Sequence, residues 1–229
     1  MTSAILEKLI DSELSWRENE LALLKAQLLR DMRNASHFPV SYRSFITITY
    51  AHYEGFTKVV MAQAISDISQ HGAAPSGCAE SVQIALFSGA LRKKIAKLSN
   101  TDLFQAMAQA HGVLDSIPFP TGEDAMEISN MNFSNFSDIV QCIGIDSSRF
   151  AGFRRHIGRL VDLRHRCAHG ERLSFDSSKT YSDLAGDAFD LQSQMILLMH
   201  ALALEVLNAF DGATFLIHSG SSTGTTLPP

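Results

Sequence analysis

Cysteine is scarce in this chain. Its three copies, Cys78, Cys142 and Cys167, are odd in number and far apart. They build neither a disulfide framework nor the closely spaced pairs of a zinc site, and they fit a reducing, cytoplasmic setting. No secretory leader is expected, because Met1 runs straight into a helical pattern carrying Glu7, Lys8 and Asp11. Long hydrophobic runs are lacking too. The longest, residues 195–210, is broken by His200 and Glu205 and is too short to span a bilayer, so no membrane association is expected. Strand signals are few and no internal repeat is visible. A general basic excess is also missing: the formal net charge is −5, which excludes a globally cationic nucleic-acid coat. With 229 residues, what remains is enough for one good-sized core.

Apolar residues recur at helical spacing through most of the chain. Residues 3–34 form one long amphipathic stretch (Ile5, Leu9, Leu14, Leu21, Leu24, Leu28), ended by His37-Phe38-Pro39. Residues 41–70 form a second helix, apolar nearly all round from 45 to 61 and therefore central. A weaker helix over 78–98 ends in Arg92-Lys93-Lys94, and a short one capped near Thr101 reaches His111. Residues 118–135 read as irregular. A short helix over 136–143 stops at Gly144, a helix capped by Ser147 or Ser148 runs to Ala168, and the last helix covers 182–210. The sequence thus predicts one all-α domain over residues 1–211, with a loop insertion near 113–135 and a disordered tail over 212–229.

Charge is spread unevenly over this acidic chain. Seven of the twelve arginines lie between Arg149 and Arg172, opposed locally only by Asp162 and Glu171. Such a patch suits an anion, although a solvated helix face would carry the same charges. On a helical wheel, Phe150, Phe153, Ile157, Leu160, Val161, Leu163, Cys167 and Ala168 share one arc with Arg164, whereas Arg154, Arg155, Asp162, His165 and Arg166 oppose it. An arginine inside an apolar stripe needs a carboxylate, carbonyls or a phosphate as partner. Gly170 predicts the helix end, so that His169 sits in the last turn with its ring free to swing beside Arg164. The negative helix end favours its charged form, which suits proton transfer; a plain capping histidine is the bland alternative. His165 and His169 also have the four-residue spacing of helical zinc sites, but no third ligand is evident and no metal is expected.

The stretch Leu160-Val161-Asp162-Leu163-Arg164-His165-Arg166-Cys167-Ala168-His169-Gly170-Glu171 resembles the HEPN superfamily (higher eukaryotes and prokaryotes nucleotide-binding), whose signature is Arg, a polar residue, then His. Tyr50-Ala51-His52-Tyr53-Glu54-Gly55-Phe56 and residues 130–146 look like flanking segments of its MAE_28990/MAE_18760-like branch. The resemblance covers roughly residues 10–210. It implies an HEPN-like bundle of four to five core helices, and a homodimer whose two motifs share one cleft. It implies RNA as substrate, cleaved without cofactor or metal to a 2′,3′-cyclic phosphate, and a role as toxin or antiphage effector restrained by a partner protein. Arg164 and His169 take the positions of the catalytic pair, and His165 the supporting polar position, where Asn or Asp is commoner. Glu54 becomes a supporting candidate beside Arg164, against the plainer reading of a surface pair with Lys58. Arg154, Arg155, Arg159 and Arg166 would guide the RNA backbone. Glu171 stands where some HEPN toxins carry a tyrosine that is adenylylated, which argues against silencing of that kind. A catalytically inactive HEPN module, binding RNA or serving assembly, is the alternative.

Overall fold

The computed structural model describes residues 4–72, 74–84, 130–171 and 180–217. They form α1 (Ala4–Asp31), α2 (Phe38–Gln70), α3 (Phe133–Gln141), α4 (Arg154–Ala168) and α5 (Tyr181–Asp211), with short 3-10 turns at Pro75–Gly77 and Ser147–Phe153. Among the described residues the only β-pairing is an isolated bridge between Cys78 and Leu216. The all-α expectation therefore holds. Of the expected helix over 78–98, residues 80–84 are helical; its remainder, the short helix to His111, most of the expected insertion and the tail beyond 217 lie outside the described residues.

The middle helix is α2, and it meets α1, α4 and α5. Its composition explains why. Phe45, Ile46, Tyr53, Phe56, Val60 and Met61 are all buried, so it is apolar on several sides, and α3 covers it as well. Pro39 does not break the chain as expected. It sits in the first turn of α2, where a missing N–H costs nothing. The interruption comes earlier, at residues 32–37, where the Asp31 carboxylate at the end of α1 accepts bonds from Gln27 and from Ser41 of α2.

The last helix, α5, starts with a capping box in which Thr180 and Asp183 satisfy each other's backbone N–H groups. At 31 residues it is long and apolar enough to cross a membrane by length and composition alone. However, Leu191, Met195, Leu198, Leu202 and Val206 are buried in the bundle, as a core helix requires.

Other boundaries differ from expectation too: α3 starts at Phe133 and ends at Gln141, against 136–143. The 147–153 segment is a 3-10 turn capped by Asp146, whose carboxylate accepts from the Ser148 N–H; neither serine caps the motif helix. The chain also stays ordered past residue 211. Phe215 is 3% exposed, the Ala79 N–H donates to its carbonyl, and the Ile217 N–H donates to the Gly77 carbonyl. One buried aromatic and two backbone bonds thus hold 212–217, which the Gly/Ser/Thr-rich composition alone hid.

Gly144 makes this closure possible. Its φ is +82°, and a Cβ there would lie 2.9 Å from the Thr214 carbonyl oxygen and within 3.2 Å of Phe215 backbone atoms. Gly144→Ala is expected to destabilise the fold by about 1–3 kcal/mol, read as a lower urea midpoint at unchanged m-value.

A buried polar knot joins α1 to α2. Arg17, 4% exposed, pairs with Glu13, donates through Nε to the His52 carbonyl oxygen at 3.2 Å, and stacks its guanidinium 4.3 Å from the Trp16 ring centre. Gly55 leaves room for it: a Cβ there would lie 3.1 Å from the Arg17 Nη2. His52 is buried beside it, with its Nε2 3.1 Å from a Glu20 carboxylate oxygen and its ring edge-on to Trp16. Burial lowers the His52 pKa more than Glu20 raises it, and Arg17 lowers it further. The unfolded chain therefore takes up the His52 proton first. Stability from His52 is full above its ordinary pKa of 6.5 and is lost as pH falls through the lower folded value. Urea unfolding at pH 7.5 and pH 5 should show a smaller acid loss in His52→Gln than in wild type.

Candidate active site

The end of α4 follows from two residues. His169 is the cap, with φ −80° and ψ 4°, and Gly170 turns left-handed at φ +68°. The Gly170 N–H donates to the Cys167 carbonyl and the Glu171 N–H to the Arg166 carbonyl, which is a Schellman closure. The last turn is thus fixed by backbone bonds, leaving the side chains of His165 and His169 exposed.

His169 finds a ring partner on its own helix. Its ring lies against His165, with ring centres 4.2 Å apart. The reason is local: its dihedrals are still close to helical, so residue 169 keeps the register that brings i and i+4 together.

Arg164 is half-buried, as its place in the apolar arc predicts, but its support is not a carboxylate. Its guanidinium carbon stands 4.8 Å from the centre of the Tyr50 ring, a cation–π contact. Among the described residues no acidic side chain pairs with it. Burial, and then the neighbouring Glu54 carboxylate, push the Tyr50 phenol up to about 12. The phenol therefore stays protonated. Its oxygen accepts from the Met131 N–H at 2.8 Å, and the Glu54 carboxylate is a charged neighbour. Glu54 meanwhile holds Lys58 at 2.9 Å. The expected Glu54–Lys58 pair is therefore present, half-buried and not on the surface, and Glu54 neighbours the Tyr50 that carries Arg164.

Behind Tyr50 runs a line of aromatic rings. Tyr50 meets Tyr53 (6.3 Å between centres), Tyr53 meets Phe136 (6.2 Å), and Phe136 stands edge-on to Phe150 (5.0 Å). The support under Arg164 is thereby tied to the 3-10 turn that leads into its own helix.

The arginine patch is more neutralised than local sequence suggests, because α5 supplies the missing acids. Arg149 bonds both Glu205 carboxylate oxygens at 2.8 and 2.9 Å, and Arg159 meets Asp187 at 3.1 Å. Arg166 lies 3.3 Å from the Glu171 carboxylate. Arg154 stacks over Phe133 at 4.6 Å, and exposed Arg155 has no acidic partner among the described residues. Of the four proposed RNA contacts, Arg154 and Arg155 keep their charge available, while Arg159 and Arg166 share theirs.

Two residues escaped the sequence reading. Tyr50 is one, and Arg43 is the other: its Nη2 donates to the Glu171 carbonyl at 2.6 Å, stitching the motif turn to α2. Arg43, Tyr50 and Glu54 are spaced by seven and four residues, one stripe of α2 facing α4, and that spacing was the available signal. Among the described residues no group of three or more His, Cys, Asp or Glu side chains gathers as a metal site.

The HEPN family model of the MAE_28990-like type matches residues 6–214. The chain belongs to the MAE_28990-like HEPN family. Members of the HEPN family are generally ribonucleases, so an RNA-related or nuclease function is the shared ground. No curated protein and no solved structure matches the chain. The match runs from the first turns of α1 to Thr214 in the closing turn, so it takes in both the Arg164–His169 turn and the Tyr50 support of this HEPN chain.

Proposed function

We propose that this HEPN protein is an endoribonuclease that cleaves RNA without a metal ion. The reading is carried by one observation. An Arg-x4-His pair is intact at a helix end whose closure leaves His169 exposed while Arg164 is braced on Tyr50. In the reaction the ribose 2′-oxygen attacks the adjacent phosphorus and the bond from phosphorus to the 5′-oxygen breaks. His169 takes the 2′-hydroxyl proton or delivers one to the departing 5′-oxygen. Arg164 neutralises charge growing on the non-bridging oxygens. One imidazole does not perform both transfers in a single step, which favours a homodimer in which a second copy supplies the other group. Arg154 and Arg155, with lesser help from Arg159 and Arg166, would hold the backbone, so binding should weaken as salt rises. Dependence on the 2′-hydroxyl excludes DNA as a substrate. A toxin or antiphage role under a restraining partner protein, in the cytoplasm, is the setting that such an activity fits.

The test is purified protein mixed with total RNA in EDTA, beside His169→Ala. Fragments ending in 2′,3′-cyclic phosphate and 5′-hydroxyl, absent with the variant, are expected. RNA left equally intact by both at several salt concentrations would sink the proposal in favour of an inactive RNA-binding or assembly module.

A further inference from the structure

We propose that His165 and His169 form a surface chelate for a divalent transition-metal ion of the zinc, nickel or copper class, and that its occupancy switches the site off. The second half rests on the ribonuclease reading; the first does not. The two imidazoles sit one helical turn apart, both exposed, with ring centres 4.2 Å apart and planes inclined by 54°. Two nitrogens sharing one ion at about 2.0–2.1 Å each lie roughly 3 Å apart, which rotation of two exposed side chains achieves without moving backbone. The backbone itself is fixed by the Gly170 closure and by Arg43 on the Glu171 carbonyl.

Electrostatics permit the ion. The carbonyl end of α4 is negative. Of the nearby cations, Arg166 is paired with the Glu171 carboxylate, whereas Arg43 on the Glu171 carbonyl and Arg164 on the Tyr50 face keep their charge, which weakens the ion's hold without closing the site to it. With two protein ligands and water in the remaining positions, the ion would be loosely held and exchangeable, which suits an inhibitor and not a structural centre. Imidazole selects zinc, nickel and copper; magnesium and calcium prefer oxygen. A His169 nitrogen whose lone pair is on a metal has none to offer a proton. The chelate therefore removes the proposed proton carrier while leaving Arg164 in place.

The experiment is calorimetric titration of the full chain with zinc chloride in a non-chelating buffer. One ion per chain is expected, with at least about tenfold weaker binding in His165→Ala and in His169→Ala, because each variant loses the bidentate grip. Cys167→Ser should bind as wild type does, and magnesium chloride should give no heat of binding. Wild type that takes up no zinc, or either histidine variant binding as tightly as wild type, overturns the chelate. In the second arm, zinc at saturation should stop RNA cleavage and EDTA should restore it; unchanged cleavage despite measured binding overturns the switch. A wild type that binds zinc yet never cuts RNA would sink the ribonuclease reading and the switch together, leaving the chelate to stand on the calorimetry.

Discussion

His169→Ala is expected to lower the rate of RNA cleavage by about 10²–10⁴-fold while leaving the fold intact, since a positioned acid or base contributes that much. The two halves of this expectation rest on different observations. The imidazole is exposed and touches the ring of His165, not the core, so its removal opens no cavity. The helix end is closed by backbone bonds from Gly170 and Glu171, which alanine at 169 leaves in place. Stability should therefore change by no more than about 0.5 kcal/mol. His169→Gln separates proton transfer from hydrogen bonding: its amide can donate and accept, but it cannot carry a proton at neutral pH. If glutamine restores cleavage, His169 positions substrate and another group moves the proton. Cleavage rates on a defined oligoribonucleotide, together with thermal unfolding of the same preparations, decide the matter.

The helices were legible because burial in a bundle writes a 3.6-residue period. Those around α2 were found for that reason, and the apolar residues spread around most of the helix from 45 to 61 marked the one packed in the middle of the described bundle. The ends were less legible, because ends are set by capping chemistry and by distant contacts. Asp146 outcompetes Ser147 and Ser148 as a cap, and Pro39 opens a helix that it was expected to precede. Residues 212–217 look like tail in composition, yet Phe215 finds a buried place and Gly144 lets their backbone approach. No local pattern announces a contact across seventy residues.

The candidate site divides in the same way. Gly170 foretold the helix end, and the apolar arc foretold that Arg164 would face inward. The His169 ring lies against His165 because near-helical dihedrals persist through residue 169 and the left-handed turn comes only at Gly170. The arginines were read as free because their partners, Asp187 and Glu205, lie on another helix. Arg43 and Tyr50 share with Glu54 one stripe of α2, yet only their contacts with Glu171 and Arg164 make them part of the site.

Arg164→Ala should raise the barrier to cleavage by about 2.7–4 kcal/mol, a rate loss on the order of 10²–10³, as when one donor to a developing oxyanion is removed. Arg164→Lys should recover only part of it, because an ammonium keeps the charge but not the planar fork that spans two phosphate oxygens. Tyr50 tells whether the support matters. Tyr50→Phe keeps the ring beneath the guanidinium and loses the bond from the Met131 N–H, so most activity should remain in the folded fraction. Tyr50→Leu removes the π face, worth about 0.5–2 kcal/mol to the cation. A guanidinium released from that face samples more orientations, so kcat should fall with KM little changed. Equal kcat in Tyr50→Phe and Tyr50→Leu, normalised to folded protein, would mean that the ring merely fills space and that Arg164 finds its phosphate unaided.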